Sequence, residues 1–126
     1  MKTILAIALG GALGSVLRYL TNVGIGTLLP SPFPWGTLTA NVLGCFIMGV
    51  LIAAFMTLWN PAPEIKAFLT VGFLGGYTTF SAFSADTMTL WTQGDAMTAA
   101  AYVTASVVLS IAAVFIGSFI VGKFSV

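Results

Sequence analysis

The chain has 126 residues, of which 59% are hydrophobic and only 6% charged, with a formal net charge of +1. Mean hydropathy is +1.09. A soluble domain carries about a quarter charged residues, so this composition points to lipid as the solvent. It excludes a basic nucleic-acid surface, and the lack of histidine together with a single cysteine, Cys45, excludes a disulfide framework and the usual zinc sites. Cys45 reads as a small packing residue.

The first apolar segment runs from about Thr3 to Asn22. Lys2 and Ala6-Ile7-Ala8 would suit a signal peptide, but the run continues through Leu17, which favours a retained helix. Arg18 lies beyond the middle of this segment. A turn region follows, carrying Gly24, Gly26, Pro30, Pro32 and Pro34. The second segment runs from about Trp35 to Leu58 and ends at Asn60-Pro61-Ala62-Pro63. It contains Asn41, an amide that is costly inside a membrane unless paired or wet. Asn41 either donates hydrogen bonds to an anion or makes an interhelical packing bond.

The third segment, from about Ile65 to Trp91, holds Gly75-Gly76-Tyr77-Thr78-Thr79-Phe80-Ser81-Ala82-Phe83-Ser84. Adjacent glycines followed by Thr-Thr disfavour a continuous helix, and Thr78 is the segment's midpoint, so a break near mid-membrane is expected. Such a break leaves carbonyls at one half-helix end, suited to a cation, and amides at the other, suited to an anion. The plainer alternative is a glycine pair that admits a neighbouring helix. Phe80 and Phe83 share one face beyond the break. They either pack or offer electropositive ring edges to an anion. Asp86 lies nearer the segment's end, at a depth that could match Arg18; the two either pair or snorkel separately.

The fourth segment runs from about Met97 to Gly122. Tyr102, Ser106 and Ser110, four residues apart, form a hydroxyl stripe. It spans about 12 Å and either lines a wet track or bonds back to its own helix.

Together these segments predict one all-α integral membrane domain over residues 1–126 with four transmembrane helices, the third broken near mid-membrane. Trp35, Trp59 and Trp91 stand at segment ends, as interfacial aromatics do. Both termini share a side with Lys2, Lys66 and Lys123, a weak orientation signal. Small residues recur at helix-packing spacing: Gly10 and Gly14, Gly11 and Ser15, Ala40 and Gly44, Cys45 and Gly49, Ser118 and Gly122. So small a bundle scarcely encloses a pathway alone, which favours a homo-oligomer. No paired carboxylates, activated nucleophile or metal cluster is present, so an enzyme is not expected.

Gly36-Thr37-Leu38-Thr39-Ala40-Asn41-Val42-Leu43-Gly44 and the run from Gly72 to Ser84 strongly resemble the signatures of the Fluc (CrcB-type) fluoride channels. The run from Gly10 to Tyr19 looks like that family's first-helix motif. The resemblance implies a passive, fluoride-selective channel of the bacterial inner membrane that exports cytoplasmic fluoride. It implies an antiparallel, dual-topology homodimer with two pores and a structural sodium ion at its centre. By position in the motif, the Gly75 and Thr78 carbonyls would hold sodium, Phe80 and Phe83 would be the ring-edge residues, Asn41 a pore donor, and Tyr102, Ser106 and Ser110 the hydroxyl track. Arg18 and Asp86 are candidates for a vestibule or an ion pair. Ala82 stands where the family pattern usually has threonine, which removes a hydroxyl beside the phenylalanines. The alternative is a small dual-topology multidrug/proton antiporter, which would need an embedded carboxylate; the first segment has none, and Asp86 lies toward a helix end.

Overall fold

The computed structural model describes residues 1–124, and among them every regular element is helical. Helix α1 (Lys2–Leu28), α2 (Trp35–Thr57) and α6 (Ala96–Phe124) are each long and apolar enough to cross a membrane. The expected third span is divided instead. It comprises α3 (Pro63–Ala67), a π-helical segment (Phe68–Leu74), α4 (Gly75–Tyr77) and, after a non-helical Thr78-Thr79 pair, α5 (Phe80–Thr92).

Helix α1 runs past the expected end at Asn22 and takes Gly24 and Gly26 into its last turns. Neither glycine touches a neighbour, and what stops the helix is the proline-rich stretch from Pro30 to Pro34. Proline lacks the amide that the helix needs and pushes the residue before it out of helical space. Pro63 opens α3 in the first helical turn, where its missing amide costs nothing. Asp95 caps α6: its Oδ1 accepts from the Thr98 amide at 3.1 Å, and this bond with the Thr98 side chain's holds the carboxyl below its usual range.

Two close helix pairings build the bundle. The first joins α2 to α6, where a Cβ on Gly49 would strike the Val114 carbonyl and one on Gly117 would strike the Phe46 carbonyl. The second joins α1 to the 63–77 stretch. There a Cβ on Gly14 would strike the Phe73 carbonyl, and one on Gly76 would lie 2.6 Å from the Gly11 carbonyl. With no driving force from water inside lipid, such backbone approach is what holds helices together. The expected small-residue pairs at Gly10 and Gly14, Gly11 and Ser15, and Ala40 and Gly44 fall on these contacts or are buried beside them, as does Gly49, whereas its expected partner Cys45 is half-buried. Ser118 and Gly122 are different: Gly122 meets nothing within 4 Å, and Gly117 makes the close approach on α6.

Both readings of the Gly-Gly-x-Thr-Thr run hold, on different residues. The glycines stay helical, and Gly76 packs against α1. The threonines break the chain: Thr78 has φ −84° and ψ 158°, and Thr79 has φ −155° and ψ 123°. Both are β-branched and comfortable in extended geometry.

Candidate functional site

The break is held by side chains from α1 and α2. Thr79 N–H, which in an unbroken helix would bond the Gly75 carbonyl, donates instead to Asn41 Oδ1 at 2.7 Å. Asn41 Nδ2 donates back to the Thr79 carbonyl at 3.0 Å. Ala82 N–H, the helical partner of the Thr78 carbonyl, donates to Thr79 Oγ1 at 3.1 Å, an N-cap for α5. Thr78 N–H and Oγ1 both donate to the Leu74 carbonyl, each at 2.9 Å. Gly44 leaves room for the Thr78 methyl, since a Cβ there would strike it. The carbonyls of Gly75 and Thr78 are thereby released from the helical ladder. Arg18 Nη1 donates to the Thr78 carbonyl at 3.4 Å.

Against this break lies an open-sided cavity of about 320 Å³ between α2, α5 and α6. Its walls include Asn41, Thr78, Thr79, Phe80, Phe83, Ser106 and Ser110. Five of the six expected pore residues therefore meet around one space. Of its two readings Asn41 makes the interhelical bond, and it also stands in the cavity wall. Ser106 is 5% exposed, and its Oγ has no hydrogen-bond partner. Leaving a buried hydroxyl unsatisfied costs about 1–3 kcal/mol, and the Ser106 side chain lies enclosed beside that of Tyr102, one turn earlier on α6.

The two phenylalanines differ. Their rings lie 5.3 Å apart with planes tilted by 52°. Phe83 is 8% exposed and sits 5.4 Å from the Tyr102 ring, whereas Phe80 is 78% exposed. Phe80 thus presents its ring outward from the chain.

Tyr102 is the sixth residue, and it stands off from the cavity wall. Its hydroxyl donates to Asp86 Oδ2 at 3.1 Å, and its ring meets Phe33 edge-on at 5.5 Å. On α6, Ser106 and Ser110 line the cavity, while Tyr102 stands beside Ser106 and is tied to α5 through Asp86. Arg18 and Asp86 take different partners in the described chain: Arg18 holds the Thr78 carbonyl and Asp86 holds Tyr102. Asp86 also lines a cavity of about 130 Å³ with Pro32, Pro34, Thr89, Leu90 and Gln93.

For a metal, side chains offer little: among the described residues no three of His, Cys, Asp and Glu gather. The Gly75 carbonyl and the Thr78 carbonyl, which also accepts from Arg18, are hard oxygen donors of the kind that a small hard cation takes, and one chain's pair alone falls short of a coordination shell. Thr79 is the residue that sequence reasoning passed over; it links Asn41 to the α5 cap. Its signal was its position as the last non-helical residue before Phe80, three ahead of Ala82.

Comparison with known proteins adds a family. Residues 5–118 match the family described as CrcB-like protein, Camphor Resistance (CrcB). A protein of Rhodospirillum centenum named fluoride-specific ion channel FluC is 55% identical over 117 residues, covering 93% of each chain. A protein of Paracoccus denitrificans with the same name is 52% identical over 115 residues, covering 91% of this chain and 90% of the relative. The Nitrobacter hamburgensis protein named fluoride-specific ion channel FluC 1 is 49% identical over 114 residues, covering 90% of each. These relatives are named as ion channels, not enzymes.

Proposed function

The chain belongs to the CrcB-like family, and from that premise we propose that it is a fluoride-selective passive channel that exports fluoride across the bacterial inner membrane. The observation that carries this reading is the cavity beside the chain break, whose walls Asn41, Phe80, Phe83, Ser106 and Ser110 share. Fluoride holds its water strongly, so a pathway must replace that shell with donors. Ser106 and Ser110 hydroxyls, the second Asn41 N–H and the electropositive ring edges are such donors in otherwise apolar walls. Hydrogen fluoride crosses lipid as the neutral acid and dissociates in a more alkaline cytoplasm. A passive anion path then suffices for export, with no coupling machinery.

The cavity's open side and the exposed Phe80 ring favour a second copy that completes the path. We take that assembly to be an antiparallel, dual-topology homodimer with two pores, in which α1, α2, the 63–92 stretch and α6 are the four crossings. Gly75 and Thr78 from both copies would supply carbonyl oxygens to a structural sodium ion near the two-fold axis. Tyr102 and Asp86 would stand at the vestibule, with Arg18 close to the break. The test is anion efflux from liposomes holding only this protein. Fluoride should leave and chloride should stay, and equal efflux of both anions would sink the reading.

A further inference from the structure

We propose that Arg18 makes the cation site at the break selective for singly charged ions. The Thr78 carbonyl, one of the oxygens offered to that ion, already accepts from Arg18 Nη1 at 3.4 Å. The guanidinium is part-buried and permanently charged. Among the described residues no acid bonds to it or to the break: Asp86 accepts from Tyr102, Asp95 caps α6, and Glu64 lies in the first turn of α3. The fixed charge at the break is therefore positive, and it sits on one of the cation's own ligands.

Neutral carbonyls suit sodium and calcium alike, and the two ions are nearly the same size, so size does not separate them. Calcium sites ordinarily add carboxylates, whose negative charge offsets that of the ion. At the Thr78 carbonyl the neighbouring charge has the opposite sign. A guanidinium that shares an oxygen with the ion repels it through protein rather than bulk water, and the repulsion grows in proportion to the ion's charge. A doubly charged ion therefore meets twice the penalty that sodium meets. The hydrogen bond also draws electron density from the shared oxygen, which weakens it as a ligand for either ion.

The inference rests on the proposal that Gly75 and Thr78 hold sodium, and the experiment separates the two. Purified protein in detergent is heated in sodium chloride or calcium chloride, with choline chloride holding ionic strength constant, and the thermal midpoint is followed against cation concentration. Sodium should stabilise the parent and calcium should not. In Arg18→Gln and Arg18→Met calcium should also raise the midpoint, and sodium should act at about a tenfold lower concentration than in the parent. Arg18→Lys keeps the charge and should keep the parent's preference. Neutral variants that respond to sodium and still refuse calcium overturn the inference. So does loss of the sodium response in those variants, which would make the Arg18 bond a support for the carbonyl. Calcium that stabilises the parent or Arg18→Lys as sodium does overturns it without either neutral variant. A parent and variants all indifferent to both cations sink the sodium site instead.

Discussion

Asn41 clasps Thr79 with both ends of its amide, accepting from the Thr79 N–H at 2.7 Å and donating to the Thr79 carbonyl at 3.0 Å. One side chain on α2 thus stands in for the Gly75 carbonyl that the Thr79 amide loses where the helix stops, and adds a second bond to the Thr79 carbonyl, which already caps the start of α5. Replacing Asn41 by leucine leaves the Thr79 amide unpaired, worth about 1–3 kcal/mol when buried. Asn41→Leu should lower the thermal midpoint in detergent and abolish fluoride efflux. Asn41→Asp keeps the acceptor but loses the donor, and should fall between the two. A leucine variant as stable as the parent would show that the clasp does not hold the break.

Ser106→Ala should separate stability from function. The variant removes a buried, unpaired hydroxyl, so unfolding should be unchanged or harder by about 1 kcal/mol. Fluoride efflux should slow severalfold in the same protein. Loss of stability with full efflux would return Ser106 to a packing role.

Phe80→Ile and Phe83→Ile should both cut fluoride efflux severely, because an aliphatic group offers no positive edge. Their folding costs should differ. Phe83 packs on Tyr102 at 5.4 Å, so its loss should cost about 1–3 kcal/mol, whereas the exposed Phe80 should cost a single protomer about 0.5 kcal/mol or less. Methionine, flexible and polarizable, should rescue part of the flux at either position. Isoleucine variants that conduct like the parent would assign both rings to packing.

A double-mutant cycle should find Asp86 coupled to Tyr102 and not to Arg18. Asp86→Asn with Tyr102→Phe should deviate from additivity by about 0.5–3 kcal/mol in unfolding, since the two share a hydrogen bond. Asp86→Asn with Arg18→Gln should add within about 0.5 kcal/mol, because Arg18 holds the Thr78 carbonyl instead. Strong coupling in the second cycle would mean that the two charges meet outside the contacts of one chain.

Gly117→Ala should destabilise the protein far more than Gly122→Ala. The new methyl would strike the Phe46 carbonyl at Gly117, where only backbone movement can relieve it, and meets nothing within 4 Å at Gly122. Thermal midpoints of the two variants check this, and equal midpoints would remove the close approach of α2 and α6 as a source of stability.

Apolar length alone located α1, α2 and α6, because a spanning run needs no partner to be recognised. The Gly-Gly-x-Thr-Thr run gave the place of the break but not the division of labour within it. Glycine signals both poor helix propensity and close approach, and only the neighbouring α1 backbone decides which applies at Gly76. The partners of Asn41, Arg18 and Tyr102 were not legible for a related reason. Each bond joins residues 16 to 60 positions apart, and a polar side chain in an apolar run announces a need without naming what meets it. The π-helical turns at Phe68–Leu74 left no local mark, since their residues would suit an α-helix equally well.

Those π-helical turns have an evolutionary consequence. They are the wider form of helix, commonly the trace of an inserted residue accommodated as a bulge. They end one residue before Gly75, just ahead of the glycine that seats on Gly11 and the threonines that Asn41 and Arg18 grip. Deleting one residue among Phe68–Leu74 would tighten these turns to an α-helix and leave Gly76 on its seat, whereas deleting one among Gly75–Tyr77, where no slack remains, would turn the threonines by about 100°, the angle that one residue subtends in an α-helix. The break would then face away from its anchors. The π-helical turns are therefore where the length of this span can change by one residue, and descendants of this gene should hold their spacing from Gly75 to Thr79 instead.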